Sequence, residues 1–108
     1  MKLKIVATPE FRKKVKKLSK TYKNITKDLK KLNSILKENP KAGIELGKNC
    51  YKIRLANSSI PTGKSGGFRV ITYYIDANNT IRLLYIFSKT EQENISNKEL
   101  ENLINKYI

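Results

Sequence analysis

Four cations are the residues best placed by type and spacing to do chemistry. Lys52 and Arg54 stand two apart in Cys50-Tyr51-Lys52-Ile53-Arg54-Leu55. In a strand that spacing puts both on one face, opposite Tyr51, Ile53 and Leu55. Arg69 opens the run Phe68 to Ile75, after a Gly-rich loop that carries Lys64, and Lys89 follows the run Ile81 to Phe87. Neighbouring antiparallel strands would gather Lys52, Arg54, Arg69 and Lys89 on one open face. Cations at close range repel, so such a set persists where an anion joins it. The plainer alternative is a solvated sheet face balanced by Asp76 and Glu91.

The residues that are missing narrow the chemistry further. The 108-residue chain has no His, which removes His-based acid–base catalysis, Ser–His and Cys–His nucleophile pairs and nearly every zinc site. No metal or other cofactor is expected. Cys50 is the only cysteine, so no internal disulfide can form. Gly63-Lys64-Ser65 resembles the end of a P-loop, but that motif needs Gly where Ser58 stands. No apolar run approaches the roughly 18 residues of a membrane span, and Met1-Lys2-Leu3-Lys4-Ile5 lacks a signal-peptide stretch. A soluble, cytoplasmic, one-domain protein covering residues 1–108 is expected.

The net charge is +14, and it is unevenly spread. Residues 1–54 hold 17 basic and 4 acidic side chains, whereas residues 55–108 hold 6 and 5. Such asymmetry marks an anionic partner, nucleic acid first, because each neutralised phosphate releases counterions. An AT-rich coding bias would also raise Lys together with Asn and Ile, but it does not explain why the lysines avoid the second half.

The elements that must position these residues follow from periodicity. Lys2 to Val6 reads as a short strand. Thr8-Pro9-Glu10 is a helix start, with a hydroxyl N-cap, Pro at the first position and an acid in the first turn. Phe11, Val15, Leu18 and Tyr22 make one apolar helix face, and Lys13, Lys14, Lys16 and Lys17 lie on the other. A second helix repeats the pattern with Ile25, Leu29, Leu32 and Leu36, and Pro40 ends it. Three strands follow, Tyr51 to Leu55, Phe68 to Ile75 and Ile81 to Phe87, the last two joined by the turn signal Asp76-Ala77-Asn78-Asn79. Asn57 to Gly67 reads as a mobile loop. Ser96 and Glu99 form a capping box for a last helix, with Ile95 and Leu100 as its hydrophobic staple. The order is β-α-α-β-β-β-α. That predicts an α+β domain with a small, twisted, mostly antiparallel sheet. The N-terminal αα-hairpin and the C-terminal helix are placed on one sheet face, leaving the other as the working surface.

Three segments resemble the RelE/HigB-type toxins of bacterial type II toxin–antitoxin modules. They are Cys50 to Leu55, Gly63-Lys64-Ser65-Gly66-Gly67-Phe68-Arg69-Val70-Ile71, and Tyr85-Ile86-Phe87-Ser88-Lys89-Thr90-Glu91-Gln92-Glu93. Their order and spacing match, and the resemblance spans roughly residues 2–104. It implies an mRNA endonuclease acting in the ribosomal A site, by attack of a ribose 2′-OH on the adjacent phosphate. It also implies a cognate acidic antitoxin, bound as a hetero-oligomer, alongside ribosomal RNA and mRNA as partners.

The resemblance gives the cations roles. Lys52 is the base candidate. Arg54 holds phosphate, Arg69 stabilises the transition state through bidentate contacts, and Lys89 takes an acid or phosphate role. Lys64 could clamp phosphate from its loop or be an idle surface lysine, and Lys13, Lys14, Lys16 and Lys17 are expected to face ribosomal RNA. Tyr73, Tyr74 and Tyr85 could each stack on a base or pack in the core; Tyr74 is assigned to RNA binding. Two positions depart from the RelE pattern. Thr90 stands where the family has Arg, and the family's C-terminal Tyr falls near Ser96. The competing readings are a non-nucleolytic toxin that inhibits a topoisomerase, as in the ParE branch, a basic RNA-binding module, and a degenerate toxin.

Overall fold

The computed structural model describes residues 2–61 and 66–108. β1 (Lys4–Ala7) leads into α1 (Pro9–Ser19), α2 (Ile25–Glu38) and the short β2 (Ile44–Gly47). β3 (Cys50–Leu55), β4 (Phe68–Ile75), β5 (Thr80–Ser88) and α3 (Asn97–Tyr107) complete the chain. One sheet has the order β1-β5-β4-β3-β2, with β1 parallel to β5 and every other pair antiparallel.

The ends of the helices follow their sequences. The Thr8 hydroxyl accepts from Phe11 N at 3.2 Å, and it donates across to the Leu83 carbonyl at 2.9 Å, tying the start of α1 to β5. Ser96 and Glu99 form the reciprocal capping box of α3. β2 is an element that sequence pattern misses, because four residues are too few to show a period. It exists through its turn: Lys48 and Asn49 both have positive φ, 53° and 65°, a two-residue hairpin geometry that matches strand twist.

The first core lies under α1 and α2, where Phe11, Leu18, Tyr22, Ile25, Leu32 and Leu36 meet Ile53, Leu55, Phe68, Val70, Tyr74 and Ile86. A second core lies on the opposite sheet face, where Leu100 and Leu103 of α3 cover Cys50, Ile71, Leu84 and Phe87. This corrects the expectation of one covered and one open face. The face opposite the hairpin carries too many apolar side chains to stay in water, and α3 takes up their burial. A bulge in β5 helps to supply that face. The β4–β5 register slips between Ile71 and Thr72, so the successive residues Leu84 and Tyr85 both face α3.

The segment after β3 is likewise more tightly held than its composition suggests. Asp28, 1% exposed, accepts the Ser58 amide at 3.0 Å, and Ser59 Oγ accepts the Asn24 amide at 2.9 Å. Asn57 to Ile60 is therefore a turn fastened to the start of α2, which corrects the reading of a mobile loop for these residues. Asp28→Ala should cost about 2 kcal/mol, since it leaves a backbone donor without its carboxylate and removes a favourable charge from the first helical turn. Denaturant unfolding of both proteins measures it.

Candidate active site

β3 and β4 position three of the four cations. Their ladder pairs Arg54 directly with Arg69, and Lys52 with Ile71. Lys52, Arg54 and Arg69 therefore share the face of Cys50, Ile71 and Phe87. α3 covers the Cys50 end of that face; beyond it Lys52 is half-buried and Arg54 exposed. Arg69 is 6% exposed, and its Nη1 donates to the Phe68 carbonyl at 3.2 Å. Burial, and after it the Arg54 charge, pulls the Arg69 guanidinium below its ordinary proton affinity. Like charges directly opposite in a ladder destabilise the strands. Two guanidinium forks on facing residues of a ladder would, however, match a tetrahedral or pentavalent phosphorus with several charged oxygens.

Lys89 joins from the end of β5. Ser88 pairs with Phe68, and Lys89 N extends the ladder by donating to Gly67 O at 2.9 Å. The next step of the alternation turns Lys89 toward the cation face. The connection from β5 to α3 then runs along that face. Lys52 Nζ donates to Asn94 Oδ1 at 3.2 Å, and Lys89 Nζ donates to the Glu93 carbonyl at 2.8 Å and carboxylate at 3.2 Å. Tyr85 donates its hydroxyl to Gln92 Oε1 at 3.3 Å. An anion approaching Lys52 and Lys89 on this face would have to displace Asn94 and Glu93 from them. Sequence reasoning missed these partners, since a polar linker between strand and helix carries no periodic signal.

The other candidates divide. Tyr74 is 7% exposed in the core beneath the helices, with its hydroxyl on Asn79 Oδ1 at 3.4 Å. Its assignment to RNA stacking is corrected, because alternation points it away from the cations. Of the three candidate tyrosines, Tyr73 and Tyr85 lie on the cation side. Lys13, Lys16 and Lys17 are exposed on α1. Lys14 Nζ sits 5.0 Å from the Tyr85 ring centroid. That contact makes the basic surface of α1 continuous with the cation face, a cation–π join that sequence spacing does not show. Lys64 lies outside the described residues. Cys50 is buried, its thiol pushed up to about 11 by burial, which leaves it unreactive.

The sequence profile described as "RelE toxin of RelE / RelB toxin-antitoxin system" matches residues 4–106. The chain belongs to the RelE toxin family. Solved RelE structures share its fold. A double mutant of E. coli toxin RelE in the free state aligns with a TM-score of 0.63 at 17% identity, covering 100% of both chains. The isolated E. coli RelE toxin in a P21 crystal form gives 0.59 at 19% identity over 97% of this chain and 99% of the other. The intact E. coli RelBE toxin–antitoxin complex gives 0.57 at 24% identity over 79% and 94%. No curated protein sequence matches. The RelE-family positions that depart from pattern have visible structural work. Ser96 caps α3, accepting from Glu99 N at 3.1 Å. Thr90 bonds to Ser88 Oγ at 2.8 Å and to the Tyr22 hydroxyl at 3.2 Å.

Proposed function

We propose that the chain is the toxin of a type II toxin–antitoxin pair and cleaves mRNA on the ribosome, in the cytoplasm. The observation that carries this is the Arg54–Arg69 cross-strand pair, with Lys52 on the same face. Inhibition by binding alone needs no such juxtaposition, whereas a phosphorane does. Lys52 takes the 2′-OH proton as the oxygen attacks the adjacent phosphorus. Arg54 and Arg69 hold the non-bridging oxygens. The bond to the 5′-oxygen breaks, and Lys89 supplies the proton to that oxygen. A 2′,3′-cyclic phosphate and a 5′-OH result. The family assignment and the +14 charge support an acidic antitoxin as partner.

Primer extension on a defined mRNA, with and without programmed ribosomes, tests the reading. Cuts at A-site codons that require ribosomes support it. A folded protein that arrests growth without cutting would place the target elsewhere, as in topoisomerase inhibition. The basic face of α1 has its own test. Replacing Lys13, Lys14, Lys16 and Lys17 with Gln should weaken ribosome binding and flatten its salt dependence. The log–log slope should fall by about 0.7–0.9 for each phosphate no longer neutralised. An unchanged slope would remove α1 from the interface.

A further inference from the structure

Behind the cation face, on the side of the helices, three hydroxyls close a ring. Tyr22 Oη lies 3.2 Å from Ser88 Oγ and 3.2 Å from Thr90 Oγ1, and the latter two lie 2.8 Å apart. Tyr22 is 8% exposed and Ser88 is 1% exposed. Each hydroxyl brings one donor and acceptor capacity, so a three-membered ring satisfies every donor within itself. The Tyr22 ring also stands edge-on to Phe68, with centroids 5.5 Å apart at 85°. Tyr22 comes from the connection between α1 and α2, so one side chain braces the start of β4 and the end of β5. The residues immediately after Phe68 and Ser88 are Arg69 and Lys89.

We propose that Tyr22, through Ser88 and Thr90, is a positioning residue for Lys89. An all-apolar contact could bury the same area at no lower stability. What the hydroxyl ring adds is direction. It fixes the two residues on either side of Lys89, both at once, from a helical element outside the sheet. The Lys89 backbone amide is held by Gly67 O at 2.9 Å. The ammonium is then aimed by a backbone with little remaining freedom, and a misplacement of about 1 Å at a reacting group costs up to 10²-fold. Thr90, at the position where the family pattern has Arg, thus serves the same site by fixing its neighbour.

The inference rests on the cleavage reading above, and the test separates the two. Single-turnover cleavage of ribosome-bound mRNA is measured for the wild-type chain, Tyr22→Phe, Thr90→Val, Thr90→Ser and Lys89→Ala, alone and with Tyr22→Phe added to Lys89→Ala. Thermal melts are taken alongside. Tyr22→Phe and Thr90→Val should each lower the rate about tenfold with half-saturation by ribosomes unchanged, and Thr90→Ser should restore it. Tyr22→Phe should cost nothing further once Lys89 is gone, because the two act as a unit. Full activity of folded Tyr22→Phe, or an added tenfold loss in the Lys89→Ala background, overturns the positioning role alone. A wild-type chain that cuts no mRNA overturns the cleavage reading and this inference together.

Discussion

Arg69→Ala is expected to lower the rate of ribosome-dependent cleavage by about 10²–10³-fold while the protein stays folded. The activity loss follows from where charge develops. The phosphorane carries more negative charge on its non-bridging oxygens than the ground-state diester does, so a donor fixed beside them stabilises the transition state selectively. On the proposed reading Arg69 is such a donor, being buried to 6% exposure and held in place by the β3–β4 ladder. Because it is fixed before substrate arrives, no reorganisation is needed at the moment of reaction. The retained fold follows from the same burial. Arg69 faces Arg54 directly across the ladder, so its removal relieves a like-charge contact and a desolvated cation. Those gains act against the lost packing and the lost polar contacts, the bond to the Phe68 carbonyl among them. Arg69→Lys keeps the charge but not the planar fork, and should retain about a tenth of the rate. Primer extension and a melting curve on each variant measure both quantities. Undiminished cutting by Arg69→Ala would show that the cation pair binds RNA without taking part in the reaction.

Gly43→Ala is expected to produce the largest loss of stability. Gly43 has a φ of +99°, in the region that L side chains avoid. A Cβ there would overlap the carbonyl oxygen of Lys52, lie 2.8 Å from its carbonyl carbon and meet Ile53 Cγ1 at 3.0 Å. Backbone atoms cannot rotate away as a flexible side-chain end can. Relief requires β3 to move, and β3 carries Lys52 and Arg54. Conformational strain and overpacking together come to on the order of 3 kcal/mol, which lowers Tm by roughly 10–20 °C. Gly47 is the control. Its φ is +88°, but a Cβ there meets nothing within 4 Å. Gly47→Ala should cost only the conformational strain, about 1 kcal/mol, and keep its activity. Equal melting losses for the two variants would show that the approach of Gly43 to Lys52 is of no consequence.

Much of the fold is legible in the chain, for local reasons. Thr8-Pro9-Glu10 and Ser96 to Glu99 start helices by hydrogen bonds made within one turn, so a few residues suffice to announce them. The faces Phe11–Val15–Leu18 and Ile25–Leu32–Leu36 carry the helical period, and Lys52–Ile53–Arg54 carries the alternation of a strand, while Tyr22, which the same spacing assigns to the first helix, lies past its end at Ser19. Those patterns alone put Lys52 and Arg54 on one face. The family resemblance likewise rests on short runs of chain.

What lies beyond the sequence depends on register and on which element covers which face. That Arg54 meets Arg69, rather than a neighbour two residues away, is set by the β3–β4 pairing. That Tyr85 joins the cation side while Tyr74 faces away is set by the strand alternation together with the bulge in β5. That α3 covers the second face, and that its connection holds Lys52 and Lys89 through Asn94 and Glu93, depends on where a short apolar stripe finds a complementary surface. Composition and spacing fix which residues are cations and which way each strand alternates, because both are properties of neighbours along the chain. Distances between cations on different strands are fixed by hydrogen-bond register and by the burial of α3, which exist only once the sheet has formed.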